Sequence, residues 1–362
     1  MSKTTDAVLV MQDGTIVEGV GFGAKTSVEG EVVFNTSMCG YQETLTDPSY
    51  KAQILMMTYP LVGNYGVNKT DFESGRIQAE GYIIRELTDH PWHGKMTGLL
   101  DNFLKEQGIP GIHSIDTRFL TRKIRDHGVM NGILKYPYEK SELPALKEKA
   151  AKLRSISEKD LVDLVSIKKP KTYDVGGEKT VVVLDCGAKQ SIINLITERK
   201  INVIQVPART TAKEIMAYEP SGIMISNGPG DPEKVDYAIN TIKKLMDEQI
   251  PMFGICLGNQ LLGLASGAKT YKLKFGHRGS NHPVKDLKTK RSHITSQNHG
   301  FAVDAKTLPP EWEVTHVSLN DGSVEGIKSK ELPIRAVQYH PEAHAGPWYN
   351  YYLFDEYVEM LK

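Results

Sequence analysis

The chain has 362 residues, enough for two domains with a core in each, and its 44 basic residues equal its 44 acidic ones. Balanced charge without a long single-sign run argues against nucleic acid or a membrane surface as partner and leaves small molecules and proteins. Three cysteines, Cys39, Cys186 and Cys256, lie far apart without a Cys-x-x-Cys spacing. That pattern argues against a disulfide scaffold and a zinc site, and fits a reducing cytoplasm. The polar N-terminus and the absence of an apolar run long enough to span a bilayer predict a soluble, unanchored chain.

Residues 7–12, 15–20 and 31–34 read as short strands, and Asp13-Gly14 between the first two predicts a hairpin turn. The run from Gly19 to Thr26 imitates a phosphate loop, but Ala24 stands before Lys25 where the motif needs glycine, so a strand end and turn are expected. A helix is predicted from Asp116 as N-cap to a stop near Gly128. Residues 1–150 thus read as a smaller, mixed α+β domain. A charged, turn-rich region follows, with a helix expected over 143–153; residues 151–178 are assigned as linker and 179–362 as the second domain.

Beyond Lys179, buried strands alternate with helices. Strands are expected at 180–184, 202–206, 222–225 and 251–255, with a last one at 334–339 running into His340. Helices are expected at 190–199, after the capping box of Thr211 and Glu214, and at 235–248, where Ile239, Ile242 and Met246 share a face. This is the pattern of an α/β domain with an open, mostly parallel sheet and helices on both faces.

Ligands of such sheets bind beyond the carboxyl ends of the strands. Three elements fall there: Asn227-Gly228-Pro229-Gly230-Asp231, the turn Gly254-Ile255-Cys256-Leu257-Gly258, and His340-Pro341-Glu342. A lone cysteine between strand and helix, with glycine close on either side, is built as a nucleophile elbow, and the helix N-terminus behind it suits an anion on sulfur. A thiol nucleophile needs a base and the base needs an orienting acceptor; His340 and Glu342 supply both. The Gly228–Gly230 loop and the Leu257 N–H offer donors for an oxyanion. Each element also has a plain structural reading: a buried cysteine, a strand-end histidine, a solvated glutamate, an ordinary turn. Their joint placement after the right strands favours chemistry. Cys186 is a rival, since it too ends a strand before a glycine, but Asp185 beside it disfavours a thiolate. Cys39 is expected to pack. His277, His282 and His299 lack a thiolate pair nearby, and no metal site is expected.

These residues resemble the class I (triad) glutamine amidotransferases. More narrowly, 34–43, the run from Leu45 to Tyr50, 274–277, 281–285 and 297–303 resemble the small, glutamine-hydrolysing subunit of carbamoyl phosphate synthetase, a likeness that covers nearly the whole chain. The resemblance implies that Cys256 attacks the side-chain amide of L-glutamine to give a γ-glutamyl thioester and ammonia, with His340 as acid and base and Glu342 orienting it. It implies glutamine contacts at Ser49, Gly228, Gly230, Leu257, Gln260, Asn298, Gly300 and Phe301. It also implies no cofactor on this chain, ATP and divalent metal on a large subunit that receives the ammonia, and a heterodimer or higher assembly. Asn259 departs from the histidine that many family members carry before Gln260. Two rival functions remain, a glutaminase serving another synthase and a non-catalytic scaffold of the same fold. A 150-residue first domain argues against the one and an intact triad against the other.

Overall fold

The computed structural model describes residues 5–155 and 158–361, and the chain divides into two compact units, Met1–Glu158 and Lys159–Lys362. In the first, the strands are β1 (Ala7–Met11), β2 (Ile16–Gly23), β3 (Ser27–Asn35), β4 (Gln53–Met57), β5 (Leu61–Val62), β6 (Gly81–Ile83), β7 (Glu86–Leu87), β8 (Pro110–His113) and β9 (Met130–Lys135). Seven of them close a barrel in the order β1-β2-β8-β6-β4-β3-β9, while β5 and β7 form a separate pair. The expected hairpin joins β1 to β2, and Gly14 takes φ 87° in its turn, where a side chain would be strained. The run from Gly19 is the expected strand end and turn: Gly19, Gly21 and Gly23 lie in β2, and residues 24–26 lead on to β3. A Cβ on Gly21 would come 2.1 Å from the Tyr136 ring and one on Gly19 2.5 Å from the His113 carbonyl oxygen, so these glycines serve close approach in the barrel wall.

Helices α1 (Tyr41–Thr46), α2 (Leu100–Glu106), α3 (Thr117–His127) and α4 (Leu143–Ala151) complete this unit. Asp116 caps α3 by accepting from the Phe119 N–H, and the helix ends at Gly128 as expected. Leu146 and Ala150 of α4 pack on Val8, Val10 and Ile133, while Tyr41, Leu45, Tyr50, Leu55 and Tyr82 form the larger core. Cys39, expected to pack, is exposed. It sits in the loop before α1, next to Gly40, which turns the chain in the left-handed region.

In the second unit, the elements are α5 (Val162–Val165), β10 (Lys171–Tyr173), β11 (Thr180–Asp185), α6 (Gln190–Glu198), β12 (Asn202–Pro207), α7 (Ala212–Met216), β13 (Gly222–Ile225), α8 (Asp236–Asp247), β14 (Met252–Ile255) and α9 (Leu257–Ser266). They are followed by β15 (Thr270–Asp286), β16 (Ser292–Val303), β17 (Trp312–Ser318), β18 (Val324–Ser329), β19 (Ile334–Val337) and α10 (Tyr352–Met360). The sheet runs β10-β12-β11-β13-β14-β19-β18-β17-β15-β16. Its run from β12 to β19 is parallel.

Successive residues of a strand point to opposite faces. Val182 and Leu184 of β11 therefore meet Ile215 of α7, Ile242 of α8 and Leu261 of α9, whereas Val181 and Val183 meet Ile192 of α6 and Phe354 of α10. This is the two-faced α/β domain expected. Beyond β19 the sheet continues antiparallel through β18, β17, β15 and β16. The stretch 159–178, read as linker, contributes structure here: β10 pairs with β12, and the Ile167 N–H donates to Asp185 at 2.8 Å. Among the described residues no helix is long and apolar enough to cross a membrane.

Candidate active site

β14 ends at Ile255 and α9 starts at Leu257, which leaves Cys256 alone at the turn with φ 54° and ψ −103°. A side-chain-bearing residue holds such a conformation only where its surroundings impose it. Here the Cys256 N–H donates to the Val337 carbonyl on β19 at 2.9 Å, while its carbonyl accepts from Asn259 at 3.0 Å. The flanking glycines let the helix cross the sheet. A Cβ on Gly258 would lie 2.2 Å from the Ile225 carbonyl oxygen, and one on Gly254 2.6 Å from Leu262 Cδ1. Gly258→Ala should therefore destabilise the fold by about 3 kcal/mol, by forcing α9 off backbone that cannot give way. Urea unfolding measures this, and an unchanged midpoint would contradict the elbow's packing.

Past β19, the His340 N–H donates to Ser296 on β16 at 2.9 Å. Its Nδ1 is 2.5 Å from Glu342 Oε1, and both side chains are buried. Lys189, the N-cap residue of α6, places Nζ 3.0 Å from the same carboxylate oxygen. Burial works against a charged imidazole, but the charge of Glu342 and then that of Cys256 outweigh it, so the His340 pKa is raised. Burial likewise works against a charged Glu342, and Lys189 first and His340 second reverse it, holding that carboxylate low. The array is thus a buried line of alternating charge. Cys256 is also a hydrogen-bond partner of the His340 side chain, and its Sγ lies 3.5 Å from the Asn298 carbonyl oxygen.

The Gly228 loop follows β13 and lies against the start of α9. A Cβ on Gly228 would be 2.2 Å from the Cys186 carbonyl oxygen and 2.7 Å from Leu257 Cδ2, and Gly230 takes φ 89°. Leu257 opens α9, and the first N–H groups of a helix have no intrahelical acceptor. Gln260 Nε2 donates to the Phe301 carbonyl at 2.9 Å and to Gln338 Oε1 at 3.2 Å. Asn298, Gly300 and Phe301 all lie on β16. The departing residue, Asn259, is buried and donates to the same Gln338 oxygen at 3.2 Å. Ser49 belongs to the first unit, buried in a short turn where its N–H donates to Asp47 at 2.9 Å.

The rival Cys186 is fully buried, and burial, followed by the charge of Asp185, raises its thiol pKa. Asp185 is occupied structurally, accepting the Gly187 and Ala188 N–H groups at 2.8 and 2.7 Å. Three residues of the array were not anticipated. Lys189 reads in sequence as an ordinary charge at a helix start, and Gln338 and Ser296 as strand residues. Only the position of Lys189, four residues past the end of a central parallel strand, could have singled it out. His277, His299 and Glu325 bring possible ligand atoms within 4.8 Å of one another, and those atoms already engage protein hydrogen-bond partners.

The family model Glutamine amidotransferase class-I matches residues 182–360, and the model Carbamoyl-phosphate synthase small chain, CPSase domain matches residues 9–134. The chain is 54% identical over 358 residues to the carbamoyl phosphate synthase small chain of Methanocaldococcus jannaschii, with 98% of this chain and 99% of that one covered. Against the small chain of Archaeoglobus fulgidus it is 53% identical over 361 residues, covering 98% and 99%. With that of Staphylococcus epidermidis it shares 48% identity over 357 residues, covering 98% and 95%. Because this likeness spans the barrel as well as the cysteine-bearing sheet, the chain belongs to the carbamoyl phosphate synthase small chain family, its second half a class I glutamine amidotransferase.

Proposed function

We propose that Cys256 is the nucleophile of glutamine hydrolysis, with His340 as acid and base and Glu342 as its orienting partner. The observation that carries this is the buried Lys189–Glu342–His340 line, whose histidine interacts with a cysteine held at positive φ. Sulfur attacks the side-chain carboxamide carbon, and the oxyanion takes N–H groups of Leu257 and the Gly228–Gly230 loop. His340 gives a proton to the departing nitrogen, which leaves as ammonia and a γ-glutamyl thioester behind. It then takes a proton from water, whose oxygen displaces sulfur to give glutamate. Gln260, Asn298, Gly300 and Phe301 hold the substrate, while Ser49 joins them on the family's pattern alone.

The chemistry requires no cofactor on this chain. A large subunit, carrying ATP and divalent metal, receives the ammonia and makes carbamoyl phosphate from it with bicarbonate and two ATP. The two subunits assemble as a heterodimer, or a higher assembly of it, in the cytoplasm. Support for that partner over another synthase comes from the first domain, which matches the carbamoyl phosphate synthase model. The test is to combine this chain with the large subunit and follow carbamoyl phosphate formation from glutamine and from ammonia. Glutamine-dependent synthesis should appear only with both chains, and its absence with ammonia-dependent synthesis intact would refute the proposal.

A further inference from the structure

Behind β16 lies a buried polar cluster that hydrolysis does not use: His277 of β15, Gln297 and His299 of β16, and Glu325 of β18. His277 Nδ1 is 3.2 Å from Glu325 Oε1, and its Nε2 is 3.0 Å from Asp321 Oδ2. Gln297 spans 2.9 Å from its Nε2 to Glu325 Oε2 and 3.0 Å from its Oε1 to His299 Nε2. The other ring nitrogen, His299 Nδ1, is 2.8 Å from the Phe301 carbonyl, the same oxygen that accepts from Gln260.

The protons of this array can be counted. A carbonyl only accepts, so His299 Nδ1 carries hydrogen. The two ends of an amide are nearly isosteric, so Gln297 can present either to His299. If it presents oxygen, His299 is an imidazolium, balanced by Glu325 Oε1 at 3.8 Å. If it presents nitrogen, His299 is neutral, but the amide oxygen then meets Glu325, which must be the acid. Both arrangements hold one proton shared between Glu325 and His299. Burial lowers the His299 pKa and raises that of Glu325, which pulls toward the second, whereas Gln297 Nε2, 3.1 Å from a Thr295 hydroxyl that itself donates to the His282 carbonyl, pulls toward the first. The other groups facing the pair are His277, whose pKa is raised because Glu325 and Asp321 outweigh its burial, His282, which burial and then His277 push down to about 4, Asp321 and Arg278.

We infer that Glu325, acting through Gln297 and His299, is a positioning residue for glutamine: the shared proton fixes the Phe301 carbonyl and so the Gln260 side chain. The inference rests on the reading of Gln260 and Phe301 as glutamine contacts. When the proton is lost at alkaline pH, two acceptors in the array face each other, Phe301 shifts, and the KM for glutamine rises.

The test measures kcat and KM for glutamine against pH, with the full chain assembled with the large subunit. Glu325→Ala should raise KM roughly tenfold, the effect of one unsatisfied buried group, while kcat and ammonia-dependent synthesis stay near wild type. Glu325→Gln should keep KM low and remove its alkaline rise, because the amide N–H replaces the acid proton and cannot be titrated. An unchanged KM in Glu325→Ala, equal impairment in both variants, or stoichiometric bound metal in the purified protein would each overturn the inference. Retention of glutamine turnover in Cys256→Ser would instead refute the reading of the site on which it rests.

Discussion

Cys256→Ser should lower glutamine-dependent carbamoyl phosphate synthesis by about 10⁴-fold or more, the scale of losing a triad nucleophile, and leave the ammonia-dependent rate of the assembled enzyme unchanged. The substitution is small, and the turn can be kept, because the φ of 54° is imposed by Val337, Asn259 and the close passage of Gly258 over Ile225 rather than by sulfur. What is lost is electronic. A thiol gives up its proton far more readily than a hydroxyl, and the charge of Cys256 is one of the causes that hold the His340 pKa high. With serine that cause is gone, and the imidazole faces a hydroxyl it can scarcely deprotonate in the ground state. Parallel assays with glutamine and ammonia separate this from misfolding, since a misfolded subunit would disturb both. Retained glutamine turnover would shift the nucleophile elsewhere, and in this unit the other cysteine is Cys186, sealed under the Gly228 loop.

The parts of the site that were legible in sequence are those fixed by local geometry. Gly254 and Gly258 mark the elbow because backbone passes where their Cβ atoms would be, and a Val-rich or Ile-rich run such as β11 or β13 is recognisable because both its faces are buried. The antiparallel extension was not legible. β15 and β16 carry lysine, glycine and histidine at positions that do not alternate cleanly, and their pairing shifts register between Lys272 and His277 and again between Gly279 and His282. The motifs on β16 were visible as residues without the strand that aligns them, so Ser296 holding His340 and Asn298 meeting Cys256 could not be foreseen. The barrel of the first domain was hidden for a related reason: its parallel pairings of β3 with β4, β4 with β6 and β6 with β8 are set by distant segments rather than by any turn.

Lys189→Met should be the most destabilising single change at the site, by about 3–5 kcal/mol, because it leaves a buried carboxylate without its cation. Glu342 is fully buried, and Lys189 is the largest of the influences that keep it ionised. A carboxylate whose pKa is depressed in the folded state contributes stability above its unfolded pKa and loses it as pH falls through the folded value. Without Lys189 the folded pKa climbs toward the ordinary range, so the contribution shrinks and what remains is lost over a narrower window that ends at higher pH. The same shift should appear in catalysis, since a protonated Glu342 no longer anchors the His340 Nδ1–H. The acid limb of the glutamine-dependent rate therefore moves up in pH, whereas ammonia-dependent synthesis does not follow it. Thermal unfolding of Lys189→Met, Glu342→Gln and the double variant separates charge from packing. If the lysine acts through its charge on Glu342, the double variant recovers part of the stability lost in Lys189→Met, because neither partner is then left ionised and alone. Simple additivity of the two losses would show that Lys189 supports the fold by packing and that the pH shift has another origin.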